Sequence, residues 1–311
     1  MGELGEFGLI ARIERAAERA GVLRGASVRL GMGDDGAVVR PRAGEEVVVS
    51  TDAFVEGVHF RWRTQSARTA GRRALVASLS DLAAMGARPL GFTWALGVPR
   101  DLSVSAVDGL TAGLVAEAAT HGAPLVGGNV TGSDQTSLTL TVLGAVKRGR
   151  ALTRSGARAG DRIFVTGELG TSAFEVARAE RGAGRVRFVP TPRLAAGRAL
   201  ARIAGVGGCI DVSDGLDADL AHLLAGTELA PELAPDRFPR PARFDTRCTR
   251  AGLDAELLLR SGGEDYELLF TARGPVAREA SLSRRLGVRV SEIGAVRKGA
   301  RDAFPSGYRH F

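Results

Sequence analysis

Acidic residues recur in this chain within short stretches rich in glycine, serine and threonine. Asp34 and Asp35 stand in GMGDDGAV, Asp52 in VVVSTDAF, Asp81 in SLSDLAAMGA, Asp211 and Asp214 in DVSDGL, and Glu264 and Asp265 in SGGEDYELLF. Each motif alone has an ordinary explanation: GDDG makes a good turn, and STD or SDG a good helix cap or Asx-turn. Asp81 resists that explanation, because it lies in an alanine-rich helical stretch where a lone carboxylate is a poor packing choice. Together the motifs suit a hard cation such as magnesium, which takes a few carboxylates plus waters and substrate phosphates. The hydroxyls of Ser50, Thr51 and Ser213 lie beside these acids and could add ligands or hydrogen bonds to phosphate. Gly127 and Gly128 before Asn129, and Gly262 and Gly263 before Glu264, let backbone approach a ligand, although such pairs also make simple tight turns.

Composition removes several alternatives. A chain of 311 residues with 44% hydrophobic and 25% charged residues has room for two cored domains and is not disordered. The net charge of +7 comes almost wholly from arginine, since Lys147 and Lys298 are the only lysines. These arginines are spread along the chain without aromatic interleaving, so no nucleic-acid partner is expected. No P-loop or protein-kinase lysine motif is present, so phosphates must be handled by arginine, backbone amides and metal. Cys209 and Cys248 make neither a disulfide framework nor a zinc spacing. No apolar run is long enough for a membrane span, and the N-terminus reads as an amphipathic helix with Phe7, Ile10, Ile13 and Ala17 on one face. A cytoplasmic protein with no membrane partner is expected.

The elements that position the acids form a mixed α/β (α+β) pattern. Strands are expected at Val28–Leu30, Ala37–Arg40 and Glu46–Ser50, a helix over 66–86, a strand at Pro89–Val98, a helix over 104–121, and strands at 124–128 and 136–146. In the last of these, threonines alternate with Leu138, Leu140 and Val142, the pattern of a half-buried antiparallel strand. A basic connection, KRGRALTRSGARAGD, suggests a boundary between domains 1–147 and 148–311. The second half predicts strands at Arg162–Thr166, Cys209–Val212, Tyr266–Thr271 and 288–296, helices near 171–181 and 191–205, and a proline-rich surface excursion over 227–247.

The ordered set GMGDDGAVV, VSTDAFVEGVHF, SLSDLAAMGARP, GGNVTGS, GRALTRSGARAGD, IDVSDGL, SGGEDYELLFT and GYRHF closely resembles the thiamine-monophosphate kinase family, within the superfamily of aminoimidazole-ribonucleotide synthetase and selenophosphate synthetase. VEGVHF, LTRSGA and GGEDYELLF are the most specific of these. The resemblance implies the two-domain fold of that superfamily: an N-terminal mixed sheet with helices, which binds ATP and magnesium and dimerises, and a C-terminal α/β domain that completes the active site. It implies several magnesium ions on Asp35, Ser50, Thr51, Asp52, Asp81, Asn129, Asp211 and Asp214, with Asp35, Asp52, Asp81 and Asp214 carrying the catalysis. It implies ATP contacts from Gly128, Asn129, Arg154 and Ser213, and thiamine monophosphate contacts from His59, Glu264 and Tyr308. Without the resemblance, His59 reads as a partly buried strand-end histidine and Glu264 as a loop acid. Trp62 and Trp94 read as packing residues.

The physics suits that reaction. Two unit charges about 4 Å apart repel by roughly 4 kcal/mol at an effective dielectric of 20, and both reactants carry several. The acceptor phosphate is already ionised at neutral pH, so no general base is required. Catalysis then consists of positioning and charge neutralisation. The chain departs from the family pattern GGDTT at Asn129 and Val130, and Ser78 replaces the asparagine usual before LSD. The lost charge predicts a weaker metal site with activity retained at higher magnesium, which the magnesium dependence of Asn129→Asp tests. Two alternatives follow from these departures: a sister ATP-dependent synthetase, and a non-catalytic nucleotide or thiamine-phosphate binding homologue.

Overall fold

The computed structural model describes residues 5–299. The chain divides into two compact units, one of Met1–Leu82, Arg88–Arg148 and Gly182–Val189, the other of Ala83–Ala87, Gly149–Arg181 and Pro190–Phe311.

In the first unit, helix α1 (Gly5–Arg19) buries Leu9, Ile13 and Ala17, a stripe of fourfold spacing. Phe7, expected on that face, is 82% exposed; two residues before Leu9, it is turned about 200° around the helix. A short antiparallel pair follows, β1 (Val28–Leu30) and β2 (Val38–Val39). The main sheet contains β3 (Glu45–Val55), β4 (Arg88–Val98), β5 (Leu125–Gly132) and β6 (Ser137–Lys147), in the order β3-β6-β4-β5. Its pairs are antiparallel except β4 with β5, which are parallel and joined through helix α3 (Val104–His121). Helix α2 (Ala67–Ala84) approaches α3 closely: a Cβ on Gly71 or Gly113 would overlap a carbonyl of the other helix.

β3 is longer than its sequence pattern predicts. Its pairing with β6 runs without a break from Glu45 opposite Lys147 to Val55 opposite Ser137. Ser50, Thr51 and Asp52 therefore lie inside a strand, and consecutive side chains take opposite faces. One face carries Ser50, Asp52 and Phe54 in register with the buried Phe92, Trp94, Leu138, Leu140 and Val142. The other carries Val47, Val49, Thr51 and Ala53 in register with Thr139, Thr141 and Leu143, and is open.

The second unit holds a five-stranded sheet of β7 (Arg162–Thr166), β8 (Val206–Asp211), β9 (Leu229–Leu233), β10 (Leu268–Ala272) and β11 (Val290–Lys298), in the order β8-β10-β7-β11-β9, with every pair antiparallel. Helices α4 (Thr171–Glu180), α5 (Leu194–Leu200), α6 (Leu216–Leu223), α7 (Phe244–Arg250), α8 (Ala255–Ser261) and α9 (Glu279–Leu286) accompany it. Its core gathers Ile163, Val165, Ile210, Leu216, Leu220, Phe244, Leu269 and Ile293. Both cysteines of the chain, Cys209 and Cys248, are buried here as free thiols, and burial pushes each thiol pKa up. The segment expected as a surface excursion contains β9 and the start of α7. Pro231 sits within β9, which among the described residues pairs only with β11, and an edge strand tolerates a residue that cannot donate to a ladder.

Candidate active site

In the first unit, a strand and a helix each present two oxygen-bearing side chains. Ser50 and Asp52 are two apart on β3 and share its covered face, while Ser78 and Asp81 are three apart on α2 and share a helix face. The Ser50 hydroxyl donates to Asp81 Oδ2, and the Ser78 hydroxyl bonds the Asp52 carboxylate. Burial, then the neighbouring Asp81 charge, raises the Asp52 pKa to about 6, while the Ser78 hydrogen bond opposes the rise. Two carboxylates thus share a partly enclosed, oxygen-only cluster, where burial and then their mutual repulsion favour the protonated form of Asp52.

In the second unit, backbone makes the arrangement. β8 ends at Asp211, which is 4% exposed, and runs into the loop Val212–Gly215. That loop lies against the Gly262–Tyr266 loop. The Glu264 N–H donates to the Ser213 carbonyl at 2.8 Å and the Tyr266 N–H to the Val212 carbonyl at 2.8 Å. A Cβ on Gly263 would collide with the Ser213 carbonyl, so this approach requires glycine. Glu264 and Tyr266 adopt φ of 61° and 52°. Such left-handed backbone costs a non-glycine residue about 1 kcal/mol or more and persists where surrounding bonds over-determine it. Here Ser172 Oγ also donates to the Glu264 carbonyl at 2.7 Å, and Asp265 Oδ2 accepts the Gly170 N–H at 2.7 Å. DVSDG and SGGED, separate in sequence, are one structural feature.

The remaining candidates are distributed as follows. Asp35 is exposed in the turn between β1 and β2, and its N–H donates to the side chain of the preceding Asp34 at 2.8 Å. Thr51 bonds Thr141 through their hydroxyls at 2.9 Å on the open face of the sheet. Asn129, in register with Ala95 and thence Thr139 and Ala53, belongs to that open face too. Neither side chain joins Asp52 within its own sheet. Gly128 lies in the Asp52 row, beyond Leu140 and Trp94. His59 Nδ1 accepts the Val55 N–H at 3.1 Å, which leaves the ring proton on Nε2. Arg154 is exposed in the second unit, its carbonyl against Gly208 of β8. Tyr308 lies outside the described residues.

Sequence reasoning missed Asp217 and Asp219. Both are 1% exposed at the start of α6, where DGLDADL looks like a polar helix surface. Asp217 Oδ2 accepts from Arg260 Nε at 2.8 Å. Asp219 Oδ2 accepts the N–H groups of Ser213 at 2.9 Å and Asp214 at 3.0 Å. Burial, followed by the Asp211 and Asp214 charges, raises its pKa to about 8. The available signal was spacing, since Asp219 falls in the apolar stripe of Leu216, Leu220 and Leu223.

Among the described residues no three histidine, cysteine or acidic side chains are grouped closely enough to hold an ion by themselves. The oxygen-only set of Ser50, Asp52 and Asp81 fits magnesium, which is commonly held by one or two carboxylates with substrate phosphates completing its shell. No described helix is long and apolar enough to cross a membrane.

A mixed sheet carrying carboxylates, together with a unit built around adjoining glycine-rich loops, defines a two-unit chain of the aminoimidazole-ribonucleotide-synthetase type. Residues 33–146 match the model for the N-terminal domain of AIR synthase related proteins. The chain is 36% identical over 285 residues to thiamine-monophosphate kinase of Mycobacterium tuberculosis, covering 88% of this chain and 82% of that one. It is 36% identical to the Escherichia coli K12 enzyme of the same name, covering 91% and 86%. A solved thiamine-monophosphate kinase from Stenotrophomonas maltophilia superposes with a TM-score of 0.81 at 36% identity, covering 96% and 95%. A structure described as AaThiL complexed with AMPPCP and TMP superposes at 0.73 with 29% identity, covering 100% and 98%. The chain belongs to the thiamine-monophosphate kinase family.

Proposed function

We propose that this chain transfers the γ-phosphoryl group of ATP to the phosphate of thiamine monophosphate, giving thiamine diphosphate and ADP. The observation that carries the reading is the oxygen-only cluster of Ser50, Asp52 and Asp81 in a chain whose relative AaThiL has been solved with an ATP analogue and TMP. An oxygen of the acceptor phosphate attacks the γ-phosphorus in line, and the bond from that phosphorus to the β,γ-bridging oxygen breaks, with ADP leaving. Magnesium, when bound, supplies charge neutralisation between the two polyanions.

The chain supplies position. Asp35, Ser50, Asp52 and Asp81 in the first unit and Asp211 and Asp214 in the second are the ion-holding groups. Gly128, Arg154 and Ser213 meet the nucleotide, with Arg154 offering the planar donor fork suited to phosphate. His59, its proton on Nε2, can donate to the acceptor phosphate, and Glu264 offers a carboxylate to the cationic thiazolium. The protein works as a cytoplasmic homodimer joined through the open face of the first unit's sheet, where Val47 and Val49 are 47% and 59% exposed. Thr51 and Asn129 share that face on strands β3 and β5, three strand spacings or about 14 Å apart. They therefore serve an ion only together with groups from a second copy.

The test is incubation with ATP, magnesium and thiamine monophosphate. Thiamine diphosphate and ADP are expected in equal amounts. Binding of both ligands without turnover at abundant magnesium would instead establish a non-catalytic homologue.

A further inference from the structure

One buried carboxylate is assigned no part in the reaction above, yet it sits directly behind groups that are. Asp219 is 1% exposed and lies on α6, one turn beyond the Ser213–Gly215 loop. A single oxygen of it, Oδ2, receives both consecutive N–H groups of Ser213 and Asp214, at 2.9 and 3.0 Å. On the other side of the same loop the Ser213 carbonyl receives the Glu264 N–H at 2.8 Å. The loop is thus suspended between Asp219 and the Glu264 backbone. These bonds fix both peptide planes at Ser213, and with them the direction in which the Ser213 and Asp214 side chains leave the backbone.

We propose that Asp219 is a positioning residue: by accepting the two amides it aims Ser213 at the nucleotide and Asp214 at its ion, and through the Ser213 carbonyl it sets the register of the Glu264 loop against them. This rests on the donor-site reading of Ser213 and Asp214 given above. The oxygen does the work by accepting hydrogen bonds, and the negative charge is incidental. An asparagine carbonyl can accept the same pair of N–H groups, whereas a residue lacking a side-chain acceptor cannot.

The experiment compares the full chain with Asp219→Asn and Asp219→Ala. In Asp219→Ala, loss of two hydrogen bonds is expected to lower kcat/KM for ATP at least about tenfold, with KM for ATP raised. Asp219→Asn is expected to recover activity to within about threefold of the parent, which general destabilisation would not explain. Hydrogen exchange provides a readout independent of turnover. The Ser213 and Asp214 amides should be protected in the parent and in Asp219→Asn, and exchange about tenfold faster or more in Asp219→Ala. Asp219→Asn as impaired as Asp219→Ala would overturn the proposal, because the charge itself would then be required. Unchanged protection and kinetics in Asp219→Ala would overturn it as well. Should the alanine variant not fold, Asp219→Ser, whose shorter side chain cannot span both amides, takes its place with the same expectations. If the parent makes no thiamine diphosphate, the function assigned above fails, while the exchange data still decide whether Asp219 holds the loop.

Discussion

The two units gather acids by different physical routes. In the first, regular structure does it: every second residue of β3 and every third of α2 meet, so Ser50, Asp52, Ser78 and Asp81 converge from elements with complete backbone ladders. In the second, irregular structure does it: Asp211, Ser213, Asp214 and Glu264 lie at a strand end and on two loops held by backbone-to-backbone and carboxylate-to-amide bonds, with two residues in left-handed conformation. The first arrangement should lose function mainly through the side chain removed. The second should lose it through whatever lets the loops relax.

That contrast can be broken most severely at Asp81. Asp81→Asn removes one of two carboxylates that face each other without touching the β3 ladder, so kcat is expected to fall at least about a hundredfold while the melting temperature holds or rises. Steady-state kinetics beside a thermal melt check this, and a fall in both together would mean the cluster is structural. Ser78→Ala should act more mildly. Losing the hydroxyl that orients Asp52 is expected to raise the half-saturating magnesium about tenfold while leaving kcat at saturating magnesium nearly intact. A magnesium titration at fixed ATP reads it.

The smallest effect concerns pH. The folded-state pKa of Asp52 is raised from 3.8 to about 6, so the native state binds the proton more tightly than the unfolded chain. Stability therefore falls as pH rises from about 4 to about 6 and is flat in this respect beyond. Asp52→Asn should remove that slope and gain about 1–2 kcal/mol at pH 7 without magnesium, allowing for partial exposure. Denaturant melts across this range, with and without magnesium, give the sign.

Much of this was legible in the residues. Helix α3 and strands β1 and β7 fall where periodicity puts them. The acid-bearing motifs are likewise those that the structure places in strand, helix and loop. What could not be read is which neighbour faces which way. Ser50, Thr51 and Asp52 look like one cluster because STD resembles a cap at a strand end. A partner strand extends β3 through them, and Thr51 turns to Thr141 instead. β9 was hidden by Pro231, because a lone sequence does not tell an edge strand from a loop. Asp219 was hidden because its partners are amides of its own loop, and amides leave no mark on composition.

The burial of Cys209 and Cys248 has a practical outcome. Both thiols of the chain belong to the second unit, whereas both tryptophans, Trp62 and Trp94, belong to the first. Thiol labelling therefore times the opening of one half, and intrinsic fluorescence follows the other. The natural sequence thus carries separate clocks for its two halves, and no substitution is needed to learn whether they unfold in step.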